Sequence, residues 1–156
     1  MNIEACSQRG RELIIKYECS GHPEKFLNAY LCPKGKWTIG IGSTRIFGRN
    51  VKEGDKITLQ QAYDQFHIDL ESIKTDIDLC VTRAINQNQA DALYSFIYNF
   101  GITKFKKSTL LKRINEVSSE KVIGEQFMRW VYVDGKPFEG LRKRRLEEFN
   151  LFNSKI

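Results

Sequence analysis

One glutamate in this chain stands where its carboxyl could be kept from ionising. Glu18 follows the apolar pair Ile14–Ile15 and Tyr17 and is followed by Cys19, at the end of a predicted first helix. A carboxyl backed by an apolar helix face loses hydration, its pKa rises, and the protonated form can serve as a general acid. A solvated glutamate at a helix end is the other reading these residues leave open. A second stretch, GKWTIGIGST over 35–44, alternates Trp37, Ile39 and Ile41 with Thr38, Gly40 and Gly42. That is the period of a half-buried strand. The second face of this strand carries one hydroxyl and two positions without a side chain. Glycine within a strand weakens it and marks a bulge or a close approach by a ligand or another backbone. Something is therefore expected to lie against Thr38 and the two glycines.

The elements that would hold these groups follow from capping and periodicity. Ser7 is the expected N-cap of a helix running through RGRELIIKYE, with Leu13, Ile14 and Tyr17 inward, and SGHP stops it near Cys19. Two strands, about Ala29–Cys32 and Lys36–Ile41, are joined by a PKG turn, and a third short strand includes Val51. From Thr58 the period changes to that of a helix. Thr58 and Gln61 form a capping box, and Ala62, Phe66, Leu70, Ile73 and Ile77 make one long apolar stripe. Asn86 and Gln89 open a further helix that Gly101 stops. STLLKRIN, SSEKVIGEQFMRWVY and GLRKRRLEEFNLF read as three more, with DGKP as a turn before the last. The last is expected to set Leu141, Phe149 and Phe152 on one side. A sheet lobe of about residues 20–57 beside a helical lobe would leave a cleft, the usual place for a ligand.

The 156 residues are 41% hydrophobic and 28% charged, an ordinary globular composition long enough for a sizeable core. The net charge is +6; residues 1–100 hold 12 basic and 12 acidic groups, and residues 101–156 hold 13 and 7. The surplus in the last third favours an anionic polymer or surface. No nucleic-acid-binding signature accompanies it, so no nucleic-acid partner is expected. No apolar run reaches 18 residues, and MNIEACSQRGRELIIKYE has no apolar segment with a cleavage site, so neither membrane insertion nor a secretory signal is expected. The four cysteines form no CxxC pair and there are two histidines, so no metal and no cofactor are expected. In a cytoplasm the thiols would remain reduced.

Five segments in order, ELIIKYE, AYLCPKGKWTIGIGST, QADALYSFIYNFG, STLLKRIN and GLRKRRLEEF, resemble the successive signatures of the phage-type lysozymes, the endolysins of glycoside hydrolase family 24. The likeness runs from about residue 9 to 150. It implies an α+β, lysozyme-like fold, a single domain over 1–156. The β lobe would cover about 20–57 and the helical lobe 1–19 and 58–156, with the active-site cleft between them. The implied activity is that of a muramidase, cleaving the β-1,4 bond between N-acetylmuramic acid and N-acetylglucosamine. By the same resemblance Glu18 is the general acid, and Thr38 of the T-I-G motif positions the attacking water. The glycines beside it would admit the sugar chain. Asn99, Phe100 and Ser108 are expected to meet substrate, with a helix cap the alternative for Asn99. A buried arginine of LRKRR would fix the carboxyl of Glu18; Arg142 is the candidate.

Three departures from the family pattern bear on the chemistry. Where the family reads A-Y-x-D-x-x-G this chain reads AYLCPKG, so Cys32 replaces the second carboxylate. An unperturbed thiol has a pKa of about 8.5 and is mostly neutral at pH 7. Lys34 and Lys36 would raise the thiolate fraction. A thiolate can act as nucleophile or as base towards water, so retaining and inverting routes both stay open. Glu18 precedes Tyr30 by twelve positions, a longer interval than the family's, and the added segment brings Glu24 as an alternative acid or a replacement carboxylate. Ser43–Thr44 stands where the family often has His-Thr, a change expected to alter a structural hydrogen bond. The expected partner is peptidoglycan, reached from the host bacterial cytoplasm after holin-dependent release, by a monomer. A cationic wall-binding or membrane-disrupting protein of the same fold, impaired by the change to Cys32, is the competing reading.

Overall fold

The computed structural model describes residues 3–155, so Met1, Asn2 and Ile156 of the expected domain lie outside the described residues. The chain forms two compact units, one over Glu12–Glu71 and one joining the residues up to Arg11 to those from Ser72 onward.

The first unit begins inside α1 (Gln8–Cys19). Ser7 caps this helix: its carbonyl accepts from Arg11 N and its hydroxyl from Gly10 N. The helix stops where Ser20 and Gly21 take positive φ and Gly21 N donates back to the Ile15 carbonyl. A short 3-10 turn, Pro23–Lys25, leads to the antiparallel pair β1 (Tyr30–Leu31) and β2 (Trp37–Thr38), with Tyr30 opposite Thr38. The strand expected to reach Ile41 ends at Thr38. Gly40 and Gly42 take φ of +63° and +66°, and Ile39 and Ser43 exchange two N–H···O bonds of 2.9 Å. The apparent alternation is therefore a tight turn, with Ile39 and Ile41 both wholly buried. The third strand expected at Val51 is likewise replaced by a hairpin, β3 (Arg45–Ile46) and β4 (Arg49–Asn50), which Val51 follows. Ile39, Ile46, Val51, Ile57 and Ala62 form the core, covered by Leu27, Ala29 and Trp37. Ala62 belongs to α2 (Leu59–Cys80), started by the Thr58–Gln61 box.

In the second unit, Ile73 and Ile77 continue the buried stripe of α2, and Val81, just past its end, is buried as well. Helix α3 (Gln87–Phe100) opens on the Asn86–Gln89 capping box and closes on Gly101. Its Asp91 accepts from Ser7 N and Oγ and from Gln87, which ties down the N-terminal segment. Helix α4 (Ile102–Lys106) follows, an element the sequence reading passed over. Ser108 and Ser119 cap α5 (Thr109–Asn115) and α6 (Glu120–Phe127). The helix expected through WVY ends at Phe127. The next residues form a hairpin, β5 (Tyr132–Val133) and β6 (Lys136–Pro137), around the expected turn. Phe96 centres an aromatic cluster with Phe100, Phe105, Phe127 and Trp130. In α7 (Glu139–Asn153) Phe152 is buried but Leu141 and Phe149 only partly so. Arg144, Arg145 and Glu148 take inward positions on that helix. Among the described residues no helix is long and apolar enough to cross a membrane.

Candidate active site

Glu18 is the penultimate residue of α1 and is partly buried. The turn after β2 brings Gly42 against it: a Cβ built on Gly42 would overlap Oε2 and stand 3.0 Å from Cδ. Gly40 meets Ala62 and Ile57 in the same way, at 3.1 and 3.2 Å. The close approach that the sequence pattern forecast is present, but its partners are protein. Gly42 makes room for the Glu18 carboxyl and Gly40 for the core, which corrects the expectation that both glycines admit a sugar chain.

Tyr30 lies in the same unit as Glu18 and Cys32. Its phenol is pushed up in pKa by burial first, then by the negative charge of Glu18 and of Cys32. One half-buried ring thus lies in electrostatic reach of both groups. Phe26 holds it from one side, with ring centroids 5.3 Å apart. Sequence reasoning used Tyr30 only as a landmark in the A-Y motif; its pairing with Thr38 across β1–β2 was the available signal.

Cys32 sits where β1 enters its turn. Its N–H donates to the Lys36 carbonyl at 2.9 Å and its carbonyl accepts from Gly35 N at 2.8 Å. Partial burial pushes the thiol up, but it is outweighed by the backbone N–H groups of Lys36 and Lys34 and by the Lys34 charge. The net result is a pKa below the ordinary thiol value. The other three cysteines go the opposite way. Burial holds Cys6 far above the usual range, pushes Cys19 up to about 11 and raises Cys80. Thr38 is 4% exposed, and its hydroxyl donates to the Lys36 carbonyl at 3.1 Å. Its oxygen remains an acceptor.

Glu24 is exposed, and its carboxyl lies below the ordinary value. Its own backbone N–H and a 2.9 Å contact with His22 stabilise the anion. A group held ionised in this way is poorly suited to donate a proton.

The remaining expected site residues belong to the second unit. Asn99 is not a helix cap: its side-chain oxygen accepts from Arg145 at 2.9 Å, while Gly101 closes the helix. Phe100 stacks on Phe96 and Trp130, with the Arg145 guanidinium 4.7 Å from its ring centre. Ser108 is buried. Its hydroxyl donates to the Phe105 carbonyl at 2.6 Å and accepts from Leu111 N at 3.1 Å, so helix capping occupies the group expected to meet sugar. Arg142 is also corrected. Its side chain is 48% exposed and forms a bidentate pair with Glu139, because position 142 falls on the outer face of α7. The buried arginines of this motif are Arg144 and Arg145, both engaged with Glu148.

Residues 24–148 match the family model for phage lysozyme. The chain is 38% identical over 152 residues to an endolysin of Acyrthosiphon pisum secondary endosymbiont phage 1, covering 95% of this chain and 97% of that one. Its structure is similar to an endolysin from Escherichia coli O157:H7 phage FAHEc1, with TM-score 0.83, 32% identity and coverage of 98% and 96%. It is also similar to the muramidase domain of SpmX from Asticaccaulis excentricus, with TM-score 0.82, 30% identity and coverage of 98% and 100%. With its five signature segments in order, a family match over residues 24–148 and 38% identity to an endolysin along nearly the whole of both chains, this chain belongs to the phage lysozyme family.

Proposed function

We propose that the chain is a peptidoglycan-degrading muramidase in which Glu18 and Cys32 divide the chemistry. It is a lysozyme by family, and the bond cleaved is the β-1,4 link between N-acetylmuramic acid and N-acetylglucosamine. The observation that carries the assignment of roles is geometric: the turn after Thr38 seats Gly42 against the Glu18 carboxyl, and Cys32 lies in the turn of the hairpin that pairs Tyr30 with Thr38.

Glu18 donates its proton to the glycosidic oxygen as the C1–O bond breaks and positive charge spreads over C1 and the ring oxygen. Cys32, with its lowered pKa, supplies the compensating negative charge. As a nucleophile its sulfur forms a bond to C1, and a water deprotonated by Glu18 later displaces it. As a base it takes the proton from a water that attacks C1 directly. Thr38 offers its oxygen to that water.

Glu18→Gln tests the reading. Hydrolysis of purified sacculi should vanish, and mass spectrometry of parent digests should show muramic acid at the new reducing ends. Clearing of cells that survives Glu18→Gln would point instead to charge-driven lysis. The anomeric configuration of the first product separates the two roles of Cys32. The reading extends to action on the wall after release through a holin-type pore, by a monomer. Lysis of cells expressing the chain with and without a holin tests the first, and sedimentation the second.

A further inference from the structure

The hairpin β3–β4 turns through two residues, Phe47 and Gly48, with φ of +54° and +73°. Such a turn asks for left-handed backbone at both central positions, which is why Asn-Gly, Asp-Gly and Gly-Gly dominate it. A phenylalanine there carries backbone strain, and at 56% exposure it recovers little of that by burial. The ring is nevertheless held in place. The Arg49 guanidinium stands 5.9 Å from its centre, and Arg49 is fixed by two 2.8 Å bonds to the buried carboxylate of Asp55. Asp55 also accepts from Lys52 N at 2.8 Å. Arg45 laces the turn shut by donating to the Gly48 carbonyl at 2.8 Å and to Asn50 at 3.2 Å.

We propose that Phe47 is a preformed stacking platform for a hexosamine ring of the glycan strand. This rests on the reading of peptidoglycan as substrate and adds a binding residue to it. The surroundings of the ring select the ligand class. Its apolar neighbours Ile46 and Val51 are buried in the core, so Phe47 offers one isolated flat face. The Arg49 guanidinium lies over the ring, and Arg45, Gly48 and Asn50 belong to the same hairpin. A bilayer or a protein partner needs a continuous apolar patch. A pyranose needs what is present here: a π-face for its axial C–H groups and a rim of hydrogen-bonding groups for its substituents. Arg49 is already committed to Asp55, which disfavours its use as a free phosphate anchor.

Phe47→Gly tests the proposal without endangering the fold, because glycine suits the turn. The variant should melt at or above the parent temperature. Its KM for purified sacculi should rise about tenfold with kcat unchanged, the sign of binding lost equally from ground and transition states. Phe47→Trp should restore the parent KM. A KM for Phe47→Gly within about twofold of the parent overturns the proposal. Sedimentation with phosphatidylglycerol and phosphatidylethanolamine vesicles should not distinguish parent from variant; Phe47-dependent vesicle binding with an unchanged KM overturns it in favour of a membrane role. If the parent hydrolyses no sacculi, the substrate reading has failed. Retention of Glu18→Gln on sacculi, with and without Phe47→Gly, then still decides: weaker retention supports the platform and equal retention overturns it.

Discussion

Gly42 and Glu18 occupy one another's space. A methyl group at 42 would overlap the Glu18 carboxyl oxygen and stand 3.3 Å from its Cβ, and the φ of +66° independently favours glycine. Gly42→Ala must therefore displace the acid or open the turn after β2. The left-handed backbone costs an alanine about 1–2 kcal/mol, and displacement of a catalytic group by about 1 Å costs on the order of a hundredfold in rate. Thermal melting and hydrolysis of sacculi should show both losses. Undiminished turnover would mean that the turn does not fix the acid.

Cys32 should govern the pH profile. Its pKa lies below the ordinary thiol value, so the thiolate grows in as pH rises through that lowered pKa. Turnover needs the thiolate together with protonated Glu18, so it should be bell-shaped in pH. Cys32→Asp should move the bell to the acid side, since a carboxylate ionises near pH 4, and should retain activity, whereas Cys32→Ser should lose most of it. Iodoacetamide should label Cys32 ahead of Cys6, Cys19 and Cys80, whose burial holds them protonated. Labelling of another thiol first, or a pH profile unmoved in Cys32→Asp, would remove sulfur from the chemistry.

Capping chemistry made much of this fold readable in advance. Ser7, Thr58, Asn86, Ser108 and Ser119 each start a helix where the local residues ask for one. The strand read over 36–41 failed because the alternation of Trp37, Ile39 and Ile41 also satisfies a turn whose isoleucines are both buried, and single-sequence periodicity cannot tell these apart. At the site, Glu18 and Cys32 were found through neighbouring motif residues. Gly42 was noticed for its missing side chain, but its partner lies 24 positions away and leaves no local signal. Arg142 and Arg145 stand three positions apart in LRKRR, yet the first is exposed and the second wholly buried. Only the inward turn of α7 distinguishes them, and charged residues at inward positions contradict the usual hydrophobic code.

Asp69 should make stability fall as pH rises. It is partly buried, and burial raises its pKa against the opposing hydrogen bonds from Gln65 and Ser43. The bond from Ser43 is long, at 3.4 Å, at the position where the family often has histidine. A carboxyl with a higher pKa in the fold than in the unfolded chain favours folding in its protonated form. The penalty is absent at low pH, grows as pH rises from the unfolded value of about 3.9 through the folded value, and is constant above that. Asp69→Asn should be more stable than the parent at pH 7, and the two should converge below about pH 4. Denaturant melts at pH 3.5, 5 and 7 check this. A variant less stable than the parent at pH 7 would show that the carboxylate is better satisfied than its surroundings suggest.

Arg142 and Arg145 should separate sharply in stability. Arg142 holds Glu139 in solvent, and Arg142→Ala should leave the melting temperature nearly unchanged. Arg145 is wholly buried, with two 2.6 Å bonds to Glu148, a 2.9 Å bond to Asn99 and its guanidinium over Phe96 and Phe100. Removing it leaves Glu148 buried with Arg144 at 3.3 Å and Ser95 at 2.7 Å. A buried carboxylate that loses its main cation typically costs about 3–5 kcal/mol. Arg145→Met should fall in or just below that range, because Arg144 offsets part of the charge. Adding Glu148→Leu together with Arg144→Met should recover stability, since the triple variant leaves no member of the buried ion set without its counter-charge. If the triple variant is no more stable than Arg145→Met alone, the loss comes from packing against Phe96 and Phe100 rather than from the ion pair.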